Sequence, residues 1–96
     1  MPYFIGEYIY DKPAEARAAA RGSHREYLQG LVDAGKVVLA GPMADDANGY
    51  VVYQCQSIAE AEQLLREDPY QTLGGASSAG PREWTISLRA SFIPEP

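Results

Sequence analysis

The stretch from Pro13 to Gly35 constrains the fold more than any other part of this chain. Ala20, Tyr27, Leu28 and Leu31 recur at helical spacing and share one side, with His24, the only histidine, in the middle of it. Pro13 suits a first helical turn, where a missing N–H costs nothing, and Glu15 complements the positive end of the helix dipole. Gly35 supplies the stop, so the helix is expected to run to about Ala34. Gly22 and Gly30 fall off the apolar stripe and leave it intact, although each costs about 1 kcal/mol relative to alanine. Arg17 and Arg21 project from the same side one and two turns before the apolar half. The face is therefore basic in its first half and apolar in its second, and His24 stands at the junction as a candidate proton carrier. A lone histidine on the inner face of a helix is more often a hydrogen-bonded core residue, so the helix alone does not assign it a function.

The remaining segments read as short elements packed on that helix. Pro2 to Tyr10 is rich in β-branched and aromatic residues and predicts a strand. Lys36 to Ala40 predicts a second, stopped by Gly41-Pro42, and Asn48-Gly49 suits a hairpin into a third strand, Gly49 to Gln56. In that strand Tyr50, Val52 and Gln54 share one face, and Val51, Tyr53 and Cys55 the other. Ser57 and Glu60 have capping-box spacing and open a second helix, whose inner face is Ile58, Ala61, Leu64 and Leu65, with Asp68 at its C-terminal end. Pro69 ends it. Gln71 to Arg82, rich in small residues, is expected to be a loop, and its Gly74–Gly80 portion a mobile rim. Glu83 to Ile93 alternates Trp84, Ile86, Leu88, Ala90 and Phe92 against polar residues, the pattern of a half-buried strand.

The order β-α-β-β-α-β predicts a single α+β domain over residues 1–96: a ferredoxin-like, antiparallel four-stranded sheet with both helices on one face. The first and third strands are apolar on both sides, so the open face is expected to meet a second copy in a homodimer.

Composition removes several functional classes. With 13 acidic against 8 basic side chains and a net charge of −5, the chain lacks the basic surface that neutralising phosphates requires, so no nucleic-acid partner is expected. One cysteine, Cys55, permits no intrachain disulfide, and with a single histidine it does not furnish a zinc site of the usual kind. The glycines between Leu73 and Gly80 lack the Lys-Ser/Thr and the helix start of a phosphate-binding loop, so no nucleotide is expected. No stretch has the length of a membrane span or the form of a leader, which predicts a cytoplasmic protein without a membrane partner.

Arg21-Gly22-Ser23-His24 followed by Tyr27-Leu28 and Leu31, then Gly35 to Met43, then Glu60-Ala61-Glu62 leading into Asp68-Pro69-Tyr70, together resemble the YCII-related family, small proteins of dimeric α+β barrel architecture. The resemblance covers about Tyr3 to Leu88. It implies an active-site pair of His24 and Asp68. The inserted Leu73–Gly80 segment departs from the family, which reaches its last strand sooner.

The residues support the pair on separate grounds. A carboxylate near the C-terminal end of a helix, on its apolar face, is disfavoured by the dipole by up to ~1 kcal/mol and needs a partner, for which Arg17, Arg21 and His24 are candidates. The resulting expectation is acid–base chemistry without cofactor or metal: His24 moves a proton, Asp68 orients its ring, and Arg21 holds an anionic or enolate oxygen. Tyr8, Tyr70 and Trp84 are expected to line a pocket for a ring-sized ligand, with Ser77 and Ser78 as polar contacts. By analogy with relatives of this architecture, the resemblance implies a catabolic elimination such as dehydrochlorination, or an isomerisation of the muconolactone isomerase type, on a small oxygenated ring. The alternative is a small-ligand-binding or accessory subunit in which the same pair is structural.

Overall fold

The computed structural model describes residues 1–96, and its elements run β1 (Tyr3–Ile9), α1 (Ala14–Asp33), β2 (Val37–Pro42), β3 (Asn48–Gln54), α2 (Ile58–Arg66), α3 (Pro69–Thr72) and β4 (Ser77–Trp84). The sheet is antiparallel with strand order β2-β3-β1-β4, the ferredoxin-like βαββαβ arrangement expected from the pattern. Phe4, Tyr8, Val51 and Tyr53 point to one side and pack with Ala20 and Leu28 of α1 and Ala61 and Leu65 of α2 in one buried cluster. Alternation puts Tyr3, Ile5, Tyr50 and Val52 on the other side, which no helix covers. No helix is long and apolar enough to cross a membrane.

The caps behave as their residues predict. Gly35 takes a φ of 75° just past α1, and the Ser57 hydroxyl accepts the Glu60 N–H at 3.1 Å while the Glu60 carboxylate accepts the Gln56 N–H at 2.8 Å. The inner face of α2 is Ala61 and Leu65 with Leu64 half-buried, whereas Ile58, expected there, is exposed.

Four expectations are corrected. β2 continues through Gly41-Pro42, because it is an edge strand and an edge proline forfeits no ladder bond. The turn into β3 is made by Met43–Ala47, with Asp46 at a φ of 58°, and Asn48-Gly49 already belongs to the strand. The expected Gln71–Arg82 loop is instead the end of α3 and most of β4, with Ser77–Ala79 paired to Glu7–Ile9, so Gly74–Gly80 is no rim segment. The expected Glu83–Ile93 strand stops at Trp84, which lies opposite Tyr3, the first residue of β1, and the ladder between β1 and β4 ends at that pair. The tail turns back instead: the Tyr3 hydroxyl donates to the Pro94 carbonyl, and the Gln54 amide donates to the Glu95 carbonyl at 2.7 Å.

Candidate functional site

The site begins with Asp68. After α2 the chain turns at Glu67 and enters α3 with Asp68 as its N-cap, accepting the Tyr70 N–H at 2.9 Å. This position differs from the expected one at the end of α2, and it explains the Asp-Pro-Tyr sequence: aspartate caps, proline occupies the first turn, and tyrosine is turned inward. The carboxylate is fully buried. Burial on that scale requires partners, and three donors supply them. Besides the Tyr70 N–H, His24 Nδ1 lies 2.7 Å from Oδ1, and the Tyr8 hydroxyl donates to Oδ2 at 2.6 Å.

Each donor is delivered by a different element. His24 comes from the middle of α1, at the junction of its basic and apolar halves, and is 7% exposed. Tyr8 comes from the helix side of β1 and meets the histidine ring edge-on, at 5.0 Å between centroids. Tyr70 stacks on the His24 ring at 3.7 Å and an interplanar angle of 10°, holding the imidazole flat. Behind it, Gly75 lets the chain between α3 and β4 lie against α1, since a Cβ there would come within 2.8 Å of Ala20 Cβ and 3.0 Å of Tyr70 Cδ1.

The geometry fixes the chemistry of the imidazole. A carboxylate only accepts, so its contact with Nδ1 places a proton there, and in the neutral ring that tautomer leaves the lone pair on Nε2. No group of the protein bonds Nε2, and His24 lines a cavity of about 410 Å³. Burial, then the neighbouring Tyr53 and Asp68, push the Tyr8 phenol far above its ordinary range, so it remains a hydroxyl donor. The Tyr53 hydroxyl is itself buried without a hydrogen-bond partner.

The cavity lies between α1, the end of β2 and the β2–β3 turn. Arg21, Tyr8, His24 and Tyr70 all line it, joined by residues the sequence reading did not single out: Tyr10, Arg25 and Asp46. Arg17 bonds Asp46 at 2.6 Å and lies 4.1 Å over the Tyr10 ring, closing one end. The β2–β3 turn carries no local signal pointing at α1, so Asp46 was legible only once the strands were paired.

Three expected contacts are not brought to the site. Trp84 is 48% exposed on the far side of the sheet, in register with Tyr3. The Ser77 hydroxyl donates to Asp11 at 2.8 Å. Ser78 opens onto a separate depression beside Arg66 and Gln71. Ser77 and Ser78 were expected in a loop where β4 runs, and Trp84 on the inner face of a later strand; pairing with β1 carries all three elsewhere. No three side chains of the His, Cys, Asp or Glu type converge as a metal site would require.

Fold and site thus define a small ferredoxin-like α+β protein with a buried histidine–carboxylate pair whose histidine lines a cavity rich in arginine. The YCII-related domain matches residues 1–85, and the chain belongs to the YCII-related family. No curated protein matches it in sequence. Among solved structures it is similar to 5-chloro-2-hydroxyhydroquinone dehydrochlorinase (TftG) from Burkholderia phenoliruptrix AC1100, in complex with 2,5-dihydroxybenzoquinone, with a TM-score of 0.59 and 19% identity over 82% of this chain and 93% of that one. At that identity the likeness establishes the fold.

Proposed function

We propose that this protein is an acid–base enzyme working without metal or cofactor, an eliminating or isomerising catalyst for a small oxygenated ring compound in a catabolic route. The single observation that supports it most is the free Nε2 of His24, the one unbonded end of a buried hydrogen-bonded unit, facing a ring-sized cavity. His24 Nε2 takes a proton from a C–H or O–H of the substrate. Asp68 keeps the ring in the productive tautomer and stabilises the imidazolium that forms, as the carboxylate of a catalytic triad does. The electron pair either expels a leaving anion, giving elimination, or shifts within the ring so that the proton returns at another carbon, giving isomerisation. Arg21 holds the oxygen on which negative charge develops. The dehydrochlorinase of the same fold lends the elimination branch an analogy.

The working unit is a homodimer joined through the open sheet face. That face and the tail beside it expose Leu39 (57%), Trp84 (48%) and Phe92 (84%), an apolar surface that a second copy would cover.

The test is turnover of a panel of hydroxylated and chlorinated ring compounds, 5-chloro-2-hydroxyhydroquinone among them. His24→Ala is expected to lower turnover at least ~10²-fold while the variant stays folded. Full turnover in that variant, or none in the native protein across the panel, would leave the pair as a structural feature of a ligand-binding or accessory subunit.

A further inference from the structure

We infer that the ligand of this cavity carries a carboxylate, separate from the group that His24 deprotonates, and that Arg25 holds it together with Arg21, whose remaining N–H groups serve the oxygen on which charge develops. The inference rests on the proposed acid–base reading only in calling that ligand a substrate.

Charge placement is the first ground. The chain has 13 acidic and 8 basic side chains, yet the cavity gathers Arg17, Arg21 and Arg25 against the single carboxylate of Asp46. Asp46 is taken by Arg17, whereas Arg21 and Arg25 have no ion-pair partner. A concave site lined by unopposed charge of one sign concentrates ligands of the other. An acidic protein that leaves two adjacent guanidinium groups unanswered there has room for an anion.

Spacing is the second. Arg21 and Arg25 are one helical turn apart on α1, so their side chains neighbour each other, with Cβ atoms about 5–6 Å apart. The planar guanidinium fork matches a planar carboxylate and donates two parallel bonds to it. One turn earlier on the same helix, Arg17 already holds a carboxylate, that of Asp46, through one bond of 2.6 Å. His24 sits between the two arginines in sequence and lines the same cavity, so a ring whose carboxylate is seated there presents its own atoms to Nε2. Arg25 thereby becomes a specificity residue: it selects acids over their neutral counterparts without touching the reacting atoms.

Calorimetric titration with 2,5-dihydroxybenzoate and with the uncharged 2,5-dihydroxybenzamide separates charge from shape. The acid is expected to bind at least about tenfold more tightly, the scale of one charge-assisted hydrogen bond. That preference should shrink as salt is raised and vanish in the Arg21→Gln, Arg25→Gln double variant, with melting curves confirming that it folds. His24→Asn should keep it, because binding the carboxylate does not need the base. Absence of turnover by the native protein across the panel, with the preference intact, would therefore sink the enzyme reading and spare the anion site. Equal affinity for acid and amide, a preference that survives removal of both arginines, or no binding of either compound at millimolar concentration would overturn the inference.

Discussion

On the helix side of the sheet, Asp68 meets three donors within 3 Å and nothing around it is left to water, whereas the opposite side shows apolar residues and a tail with Leu88 92% exposed. The contrast separates two jobs. The helix side assembles His24, Tyr8, Tyr70 and Asp68 from α1, β1 and α3 of one chain, so this hydrogen-bonded group needs no residue of a partner to form. The open side contributes none of those contacts, and only at the Tyr3–Gln54 end does the returning tail cover it. A small domain buries a limited core, and here that core has been spent around a polar centre, which leaves area on the other face for association.

The sharpest way to break this contrast is to remove its centre. Asp68→Ala leaves the Tyr8 hydroxyl, His24 Nδ1 and the Tyr70 N–H without their acceptor, and is expected to cost about 3–5 kcal/mol, since each buried donor left unsatisfied costs about 1–3 kcal/mol. Chemical denaturation measures it. A loss under about 1 kcal/mol would mean that the buried network carries little of the fold.

Two of the buried tyrosines of the helix side, Tyr8 and Tyr53, divide the contrast further. Tyr8 donates to a carboxylate, and Tyr8→Phe is expected to cost about 1.5–3 kcal/mol and to disturb the pH profile of any His24-dependent turnover. Tyr53 has a hydroxyl with no partner, so Tyr53→Phe is expected to be neutral or stabilising. Equal losses in the two variants would show that the Tyr53 hydroxyl is bonded in solution and that the network extends beyond Tyr8.

On the open side, Leu39→Asp combined with Trp84→Asp is expected to change the stability of the single chain by only about 0.5 kcal/mol for each exposed site, while the mass by light scattering falls from dimer to monomer. A dimer that persists would move the interface elsewhere.

The sequence revealed these two sides unequally. Helical spacing brought His24 and Arg21 onto one face because α1 is long and capped at its C-terminal end by Gly35, and the alternation in β3 sorted Val51 and Tyr53 from Tyr50 and Val52 correctly. The C-terminal third was misplaced because alternation in Trp84–Phe92 states only which residues share a face, whereas strand formation also needs a free neighbouring edge, and β1 ends opposite Trp84. The small residues of Gln71–Arg82 lacked strand propensity, and pairing with β1 supplied what propensity did not. Tyr8 was placed as a pocket wall from its position alone. Its bond to Asp68 depends on a contact across 60 residues that no local pattern encodes.

The same acid–base pairing at the rim of the helix side calibrates the buried network, and it is expected to give the smallest effect. Lys36 Nζ lies 2.7 Å from Glu60, which also accepts the Gln56 N–H that closes the capping box. The Lys36 contact and then that N–H hold the Glu60 carboxyl below its ordinary value, and Glu60 holds the Lys36 ammonium above its own. The stabilisation from Glu60 is therefore present above the ordinary glutamate pKa and lost as pH falls through the lowered folded value. That from Lys36 is full below the ordinary lysine pKa and lost as pH rises through the raised one. Both groups reach solvent, so salt screens the pair and little of the shift becomes stability. Glu60→Gln keeps an acceptor for the Gln56 N–H while deleting the charge, which isolates the ion pair from the cap. Melting temperature followed against pH at low salt should show the variant below the native protein between the two titrations, by less than Tyr8→Phe, and merging with it at the acid end. A gap that persists below the carboxylate range would assign the loss to the cap instead.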